Sequence, residues 1–197
     1  MLYRNRERFE KLSVKIGIAF SKIPFSANAW TLISILPAIA AFWFIFQQQF
    51  VFAAVSLIVA AFLDFVDGSV ARVTGTVSKF GAFLDTIVDR YIEAIIVFAL
   101  LFVSLPFFFI PAVAWLFLYF FGAMMTTYVK AAAKEKELVE KELKGGLLER
   151  AERMILLFAG IIAASIDLSF LVYVIAFLAV LSNFTALQRI WIAKKSA

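Results

Sequence analysis

Asp64, Asp67, Asp85 and Asp89 are the residues whose type and spacing most directly suggest chemistry. On helices, spacings of three and four residues put each pair on one face. Four carboxylates in one pocket repel unless cations neutralise them, and an all-oxygen donor set suits hard divalent ions such as Mg2+, Mn2+ or Ca2+. The number of acids suits two ions better than one, and paired ions are a common clamp for phosphoryl chemistry. The alternative is ion pairing with the nearby bases Arg72, Lys79 and Arg90. The chain has no Cys and no His. That excludes disulfides, thiolate metal sites, histidine triads and histidine bases, and leaves proton transfer to Asp, Glu, Lys or Tyr.

The elements that must position these acids are membrane helices. Of 197 residues, 64% are hydrophobic, 24 are Phe and only 17% are charged. Soluble domains average about 45–50% apolar and about 25% charged residues, so both a soluble fold and disorder are excluded. A spanning helix needs about 20 mostly apolar residues. Six stretches qualify, at 29–47, 50–72, 80–104, 107–131, 147–166 and 168–191, which predicts an all-α polytopic membrane protein. All 19 Lys and Arg residues fall on one side of this arrangement. They lie before the first span, around the second and fourth connections, and at the C-terminal end. The opposite connections, near 47–49, 104–106 and 167, carry none. By the positive-inside rule both termini, and the acids, are cytoplasmic in a multi-pass cell-membrane protein. The net charge of +5 points to phosphates or lipid head groups rather than nucleic acid.

Residues 1–24 are charged where a signal peptide would be apolar. Within them, Phe9, Leu12, Ile16, Ala19, Phe20 and Ile23 follow helical spacing opposite basic residues. This predicts an amphipathic helix in the membrane interface, ahead of a membrane domain at 25–197; a simple topology anchor is the plainer reading. Residues 133–146 are charged and either extend the fourth span or form a loop.

The acids sit in or at the cytoplasmic ends of spans two and three. A charge at membrane depth costs at least about 2.5–3.5 kcal/mol, so four of them need a reason. A short connection makes these spans antiparallel neighbours, and the two acid pairs can face each other. Gly68, Ala71 and Gly81 surround them; such small residues serve helix packing or close approach of a ligand. Arg72 offers a fork of donors to a phosphate.

Residues 64–89 read D-F-V-D-G-S-V-A-R, eight residues, G, three residues, D, three residues, D. This resembles the signature of the CDP-alcohol phosphotransferase family at Asp64, Asp67, Gly68, Ala71, Arg72, Gly81, Asp85 and Asp89. The resemblance implies transfer of a phosphoalcohol group from a CDP-alcohol to a second alcohol, with release of CMP. It further implies two divalent ions, Mg2+ or Mn2+, on the four aspartates, with Asp89 also the general base. Gly68, Arg72 and Ser78 would contact the CDP moiety, within a motif that includes Ala71 and Gly81. The segment Ser26–Thr31 resembles the family's S-P-N-x-x-T stretch, with Ala27 in place of Pro, and offers Asn28 and Thr31 as further nucleotide contacts. A homodimer is the family expectation.

The segment from Gly145 to Arg153 resembles the G-x-x-E-R-x-E-R stretch of phosphatidylinositol-phosphate synthases. That implies inositol phosphate as acceptor, its phosphate bound by Lys130, Arg150 and Arg189. Ala132 stands where a further Arg often occurs. The competing reading of these bases is snorkelling to the head groups. Glu93 has Arg90 or a pocket base as candidate partner. Three Asn, four Gln and no Cys point to a thermophile; the donor is CDP-diacylglycerol or, from an archaeal source, CDP-archaeol, with archaetidylinositol phosphate as product. The alternatives are a phosphatidylglycerophosphate-type synthase, a di-inositol-phosphate-phosphate synthase using CDP-inositol, a cation transporter relaying ions through the acids, and a non-catalytic interaction protein.

Overall fold

The computed structural model describes residues 2–139 and 146–196, with side chains from Glu10 onward. Lys141, Lys144 and Gly145, and the side chains of Arg4, Arg6, Arg8 and Phe9, lie outside the described residues. Within them the chain forms α1 (Leu2–Phe20), α2 (Ala27–Ile33), α3 (Ile35–Phe46), α4 (Phe50–Thr74), α5 (Lys79–Leu100), α6 (Ala112–Glu135), α7 (Arg150–Ala163) and α8 (Leu168–Ser196). No strand occurs among the described residues, only an isolated bridge between Phe108 and Ile110.

Among the described residues, four stretches are long and apolar enough to cross a membrane: Ala27–Phe46, Phe50–Thr74, Ala112–Glu135 and Leu168–Ser196. The expected spans 80–104 and 147–166 coincide with α5 and α7. The first carries Asp85, Asp89, Arg90 and Glu93, and the second has 14 residues, so length and apolarity do not single them out. The first crossing is in two pieces because Pro37 lacks an N–H and its ring crowds the carbonyl four residues back, at Ile33. The break falls at Ser34, whose hydroxyl donates to the Thr31 carbonyl at 2.6 Å. The helix α6 begins after Pro111 rather than at 107, because the residue before a proline is pushed out of the helical region. At its other end it runs on to Glu135, so the charged segment from 133 partly extends this helix.

The chain forms two compact units, Met1–Phe44 with Phe52–Ile96, and Ile45–Val51 with Val97–Ala197. In the first, Trp30, Val66 and Val70 form a core with Ile16 and Phe20 of α1. Ala38, Val88 and Ile92 join α3 to α5. The helix α1 rests on α4 at Gly17, where a Cβ would come within 2.5 Å of the Ser69 carbonyl oxygen. In the second unit α6 and α7 both pack on α8. A Cβ at Gly122 would meet the Asn183 backbone at 2.8 Å. Small residues such as Ala38, Ala41, Ala53, Ala123 and Ala179 are buried, while Trp43, Phe52, Phe117 and Phe177 are exposed. Small residues inside and large apolar ones outside is the pattern of helices whose solvent is lipid.

Candidate active site

The helix α4 ends at Gly75, which has φ +68, and the Thr76 N–H closes the turn on the Ala71 carbonyl at 3.0 Å. Glycine fits this left-handed position at no steric cost. Ser78 then starts α5, accepting the Gly81 N–H on its side chain at 2.9 Å. This tight reversal makes α4 and α5 antiparallel, and it brings Asp64, Asp67 and Asp85 together. One carboxylate oxygen from each lies within 4.8 Å of the others. Three hard oxygen donors at that separation fit a divalent cation.

Asp67 and Asp85 also line a cavity of about 330 Å³. Asn28, Thr31, Gly68, Ala71, Arg72, Ser78 and Gly81 line it as well. All the residues anticipated around the nucleotide therefore meet in one cavity, except Asp64, which belongs to the acid cluster. The Thr31 hydroxyl donates to Asp67 Oδ2 at 2.5 Å. The small residues of the motif leave room for particular partners. A Cβ at Gly81 would stand 3.2 Å from Asn28 Oδ1, and one at Gly68 would stand 3.2 Å from Arg72 Nη1. Ser78 has a structural use as the cap of α5 besides its place in the cavity wall.

Asp89 lies one turn beyond Asp85 and is not among the three clustered acids. It is buried, and its Oδ2 is 3.9 Å from Arg90 Nη2. Arg90 Nη1 in turn donates to Glu93 Oε2 at 3.3 Å, and Glu93 is fully buried. Of the two partners offered for Glu93, this pair shows Arg90.

The basic residues anticipated for the acceptor lie in the second unit. Arg150 opens α7, where the Glu149 N–H donates to Glu152 Oε2 at 2.9 Å. Arg189 is buried and donates to the Thr126 carbonyl at 2.7 Å. Lys130 is half-buried one turn further along α6. Gly146, at φ +123, packs against Arg189, with Nε 3.3 Å from where a Cβ would stand. The Leu147 N–H beside it donates to Gln188 Oε1 at 3.1 Å. Arg153 is 1% exposed and donates to the Thr126 hydroxyl at 3.3 Å. The sequence reading did not single out Arg153 or Ser13, which contacts Arg72. The second Arg of E-R-x-E-R was the available signal for Arg153. No sequence signal marked Ser13.

Residues 25–192 match the CDP-alcohol phosphatidyltransferase family. Over 198 aligned residues, covering 99% of this chain and 97% of the relative, the chain is 34% identical to an archaetidylinositol phosphate synthase from Pyrococcus horikoshii. Its fold resembles that of phosphatidylinositol phosphate synthase from Mycobacterium tuberculosis with CDP-DAG bound, at a TM-score of 0.81 and 22% identity, covering 93% of this chain and 94% of that one. The same enzyme in complex with manganese and citrate superposes at 0.82 and 23% identity, covering 92% and 88%.

Proposed function

The chain belongs to the CDP-alcohol phosphatidyltransferase family, and from this premise we propose that it transfers a phosphatidyl-type group from a CDP-lipid to inositol phosphate, releasing CMP. The observation that carries the reading is the single cavity in which Asp67 and Asp85, from the three-acid cluster, meet Arg72 and the other motif residues. Similarity to an archaetidylinositol phosphate synthase favours CDP-archaeol as donor over CDP-diacylglycerol.

In this reading Asp64, Asp67 and Asp85, with Asp89, hold two divalent ions, Mg2+ or Mn2+. Bound there, the ions would neutralise the pyrophosphate and stabilise charge on the departing CMP. Arg72 adds fixed positive charge toward the same phosphates. Gly68 and Gly81 let the nucleotide approach the backbone, while Asn28, Thr31 and Ser78 offer polar contacts. Asp89 also accepts the acceptor's hydroxyl proton as the oxygen attacks the lipid-bearing phosphorus. The P–O–P bond breaks, and CMP leaves with the bonding pair. Arg90 and Glu93 brace Asp89 for that task. Lys130, Arg150 and Arg189 bind the acceptor's phosphate. Arg150 stands at the start of α7, where the Glu149 and Glu152 carboxylates cap the helix.

We read α5 and α7 as the two remaining crossings. At 1.5 Å per residue α5 covers about 33 Å and α7 about 21 Å. In α5, Asp89 and Glu93 turn inward. The one-sided Lys and Arg distribution supports cytoplasmic termini and a cytoplasmic site. Two copies of the chain belong to this reading, and the mass of the solubilised particle tests that. The reaction is tested by CMP release with Mg2+. CDP-archaeol and CDP-diacylglycerol are each offered with inositol 1-phosphate and with glycerol 3-phosphate. Release with inositol 1-phosphate that disappears in Asp89→Asn is expected. Release with glycerol 3-phosphate alone would overturn the acceptor, and metal flux without CMP release would overturn the transferase reading.

A further inference from the structure

We propose that α1 is a working part of the nucleotide site and that Ser13 is a positioning residue for Arg72. The inference rests on the reading that Arg72 faces the CDP phosphates. Arg72 is exposed, and an exposed arginine carries large rotamer freedom that binding an anion must remove. Here its Nη2 donates to Ser13 Oγ at 2.8 Å and to Ser69 Oγ at 3.3 Å. Ser13 is 7% exposed and Ser69 fully buried.

The protons in this chain of contacts have one consistent arrangement. The Ser69 hydroxyl gives its single proton to the Phe65 carbonyl at 2.8 Å. Between Ser13 and Ser69, whose oxygens are 2.9 Å apart, Ser13 must therefore be the donor. Arg72 donates to Ser13, Ser13 to Ser69, and Ser69 to the α4 backbone. Each hydroxyl is oriented by the next acceptor, and such chains polarise in one direction. A second contact sets the height of Ser13 above Arg72. Gly17, one turn later on α1, seats against the Ser69 carbonyl, where a Cβ would come within 2.5 Å. The helix expected to be a membrane-surface anchor thus supplies the hydroxyl that holds the motif arginine, and 59 residues separate the two in sequence.

The test is a double-mutant cycle on the full chain in detergent. It reads CDP affinity by calorimetry with Mn2+ present, and the KM of each substrate in CMP release. Ser13→Ala should weaken CDP and raise the donor KM about tenfold, the effect of losing one hydrogen bond to a charged group. The KM for inositol 1-phosphate should not move, which a general loosening of the fold would not spare. In an Arg72→Lys background the same change should have no further effect, because Ser13 acts only through the guanidinium. Undiminished CDP affinity in Ser13→Ala, or a tenfold loss that persists in full beside Arg72→Lys, would overturn the role of Ser13 alone. A wild-type chain that does not bind CDP would overturn the nucleotide reading and this inference together.

Discussion

Thr31 Oγ1 lies 2.5 Å from Asp67 Oδ2, so a residue of α2 orients a carboxylate of the α4–α5 acid cluster. The Thr31 hydroxyl is the donor, because an ionised carboxylate only accepts. Both residues are buried. Thr31→Val keeps the shape and removes the donor. The cluster should then bind divalent cation about 10–100-fold more weakly, the usual cost of losing an outer partner of a ligand. Titration with Mn2+ followed by electron paramagnetic resonance measures this, and unchanged affinity would show that Asp67 is held by other means.

Asp64, Asp67 and Asp85 crowd their oxygens within 4.8 Å. Without a cation, like charges at that distance destabilise the fold. Asp85→Asn should therefore raise the melting temperature of the metal-free protein while abolishing the rise that Mg2+ gives wild type. Binding only to the native state stabilises by mass action, so both effects appear in thermal scans with and without Mg2+. A metal-free melting temperature that falls would mean that Asp85 is stabilised by partners other than a cation.

The acid cluster and the cavity beside it were legible in the sequence because the motif is local. Twenty-six residues from Asp64 to Asp89 encode one helix end, one turn and one helix start, and helical spacing then fixes which side chains converge. The four stretches long and apolar enough to cross a membrane were legible for the same reason. What was not legible depends on distant partners. Nothing near Ser13 in sequence tells that it meets Arg72. The break at Ser34 follows from Pro37, but the spacing of apolar residues runs straight through it. Arg153 looks like one more interfacial base until Thr126, 27 residues away, is seen to hold it. Asp89 shares a helix face with Asp85, yet beside it Arg90 and Glu93 make a separate ionic group.

Gly146 has φ +123, and a Cβ there would stand 2.6 Å from Thr185 Cγ2 and 3.3 Å from Arg189 Nε. Gly146→Ala is thus strained twice, by backbone conformation and by contact. A residue forced into such a region costs about 1–3 kcal/mol. Relief must move Thr185 on α8 and, one turn further along it, Arg189 Nε. The KM for inositol 1-phosphate should rise at least about tenfold, equivalent to about 1.4 kcal/mol of lost binding, while the donor KM stays put. Steady-state kinetics with each substrate varied in turn decides it, and equal changes in both KM values would point to general unfolding instead.

Thr126 holds two buried guanidinium groups by different atoms, and this separates their roles. Arg153 bonds to the hydroxyl and Arg189 to the carbonyl. Of these two bonds Thr126→Val removes only the first, together with the hydroxyl's own donation to the Ala123 carbonyl at 2.7 Å, and Arg153, at 1% exposure, has little access to water in compensation. Stability should fall by about 1.5–3 kcal/mol, the range for a hydrogen bond to a charged group. The KM for inositol 1-phosphate should change less than about twofold, because the backbone bond to Arg189 survives. Arg189→Gln should do the reverse, raising that KM strongly at small cost in stability, since a Gln amide can still donate to the Thr126 carbonyl. Chemical denaturation and acceptor kinetics on both variants would show the crossed pattern. A large KM effect in Thr126→Val would place Arg153 with Arg189 in acceptor binding.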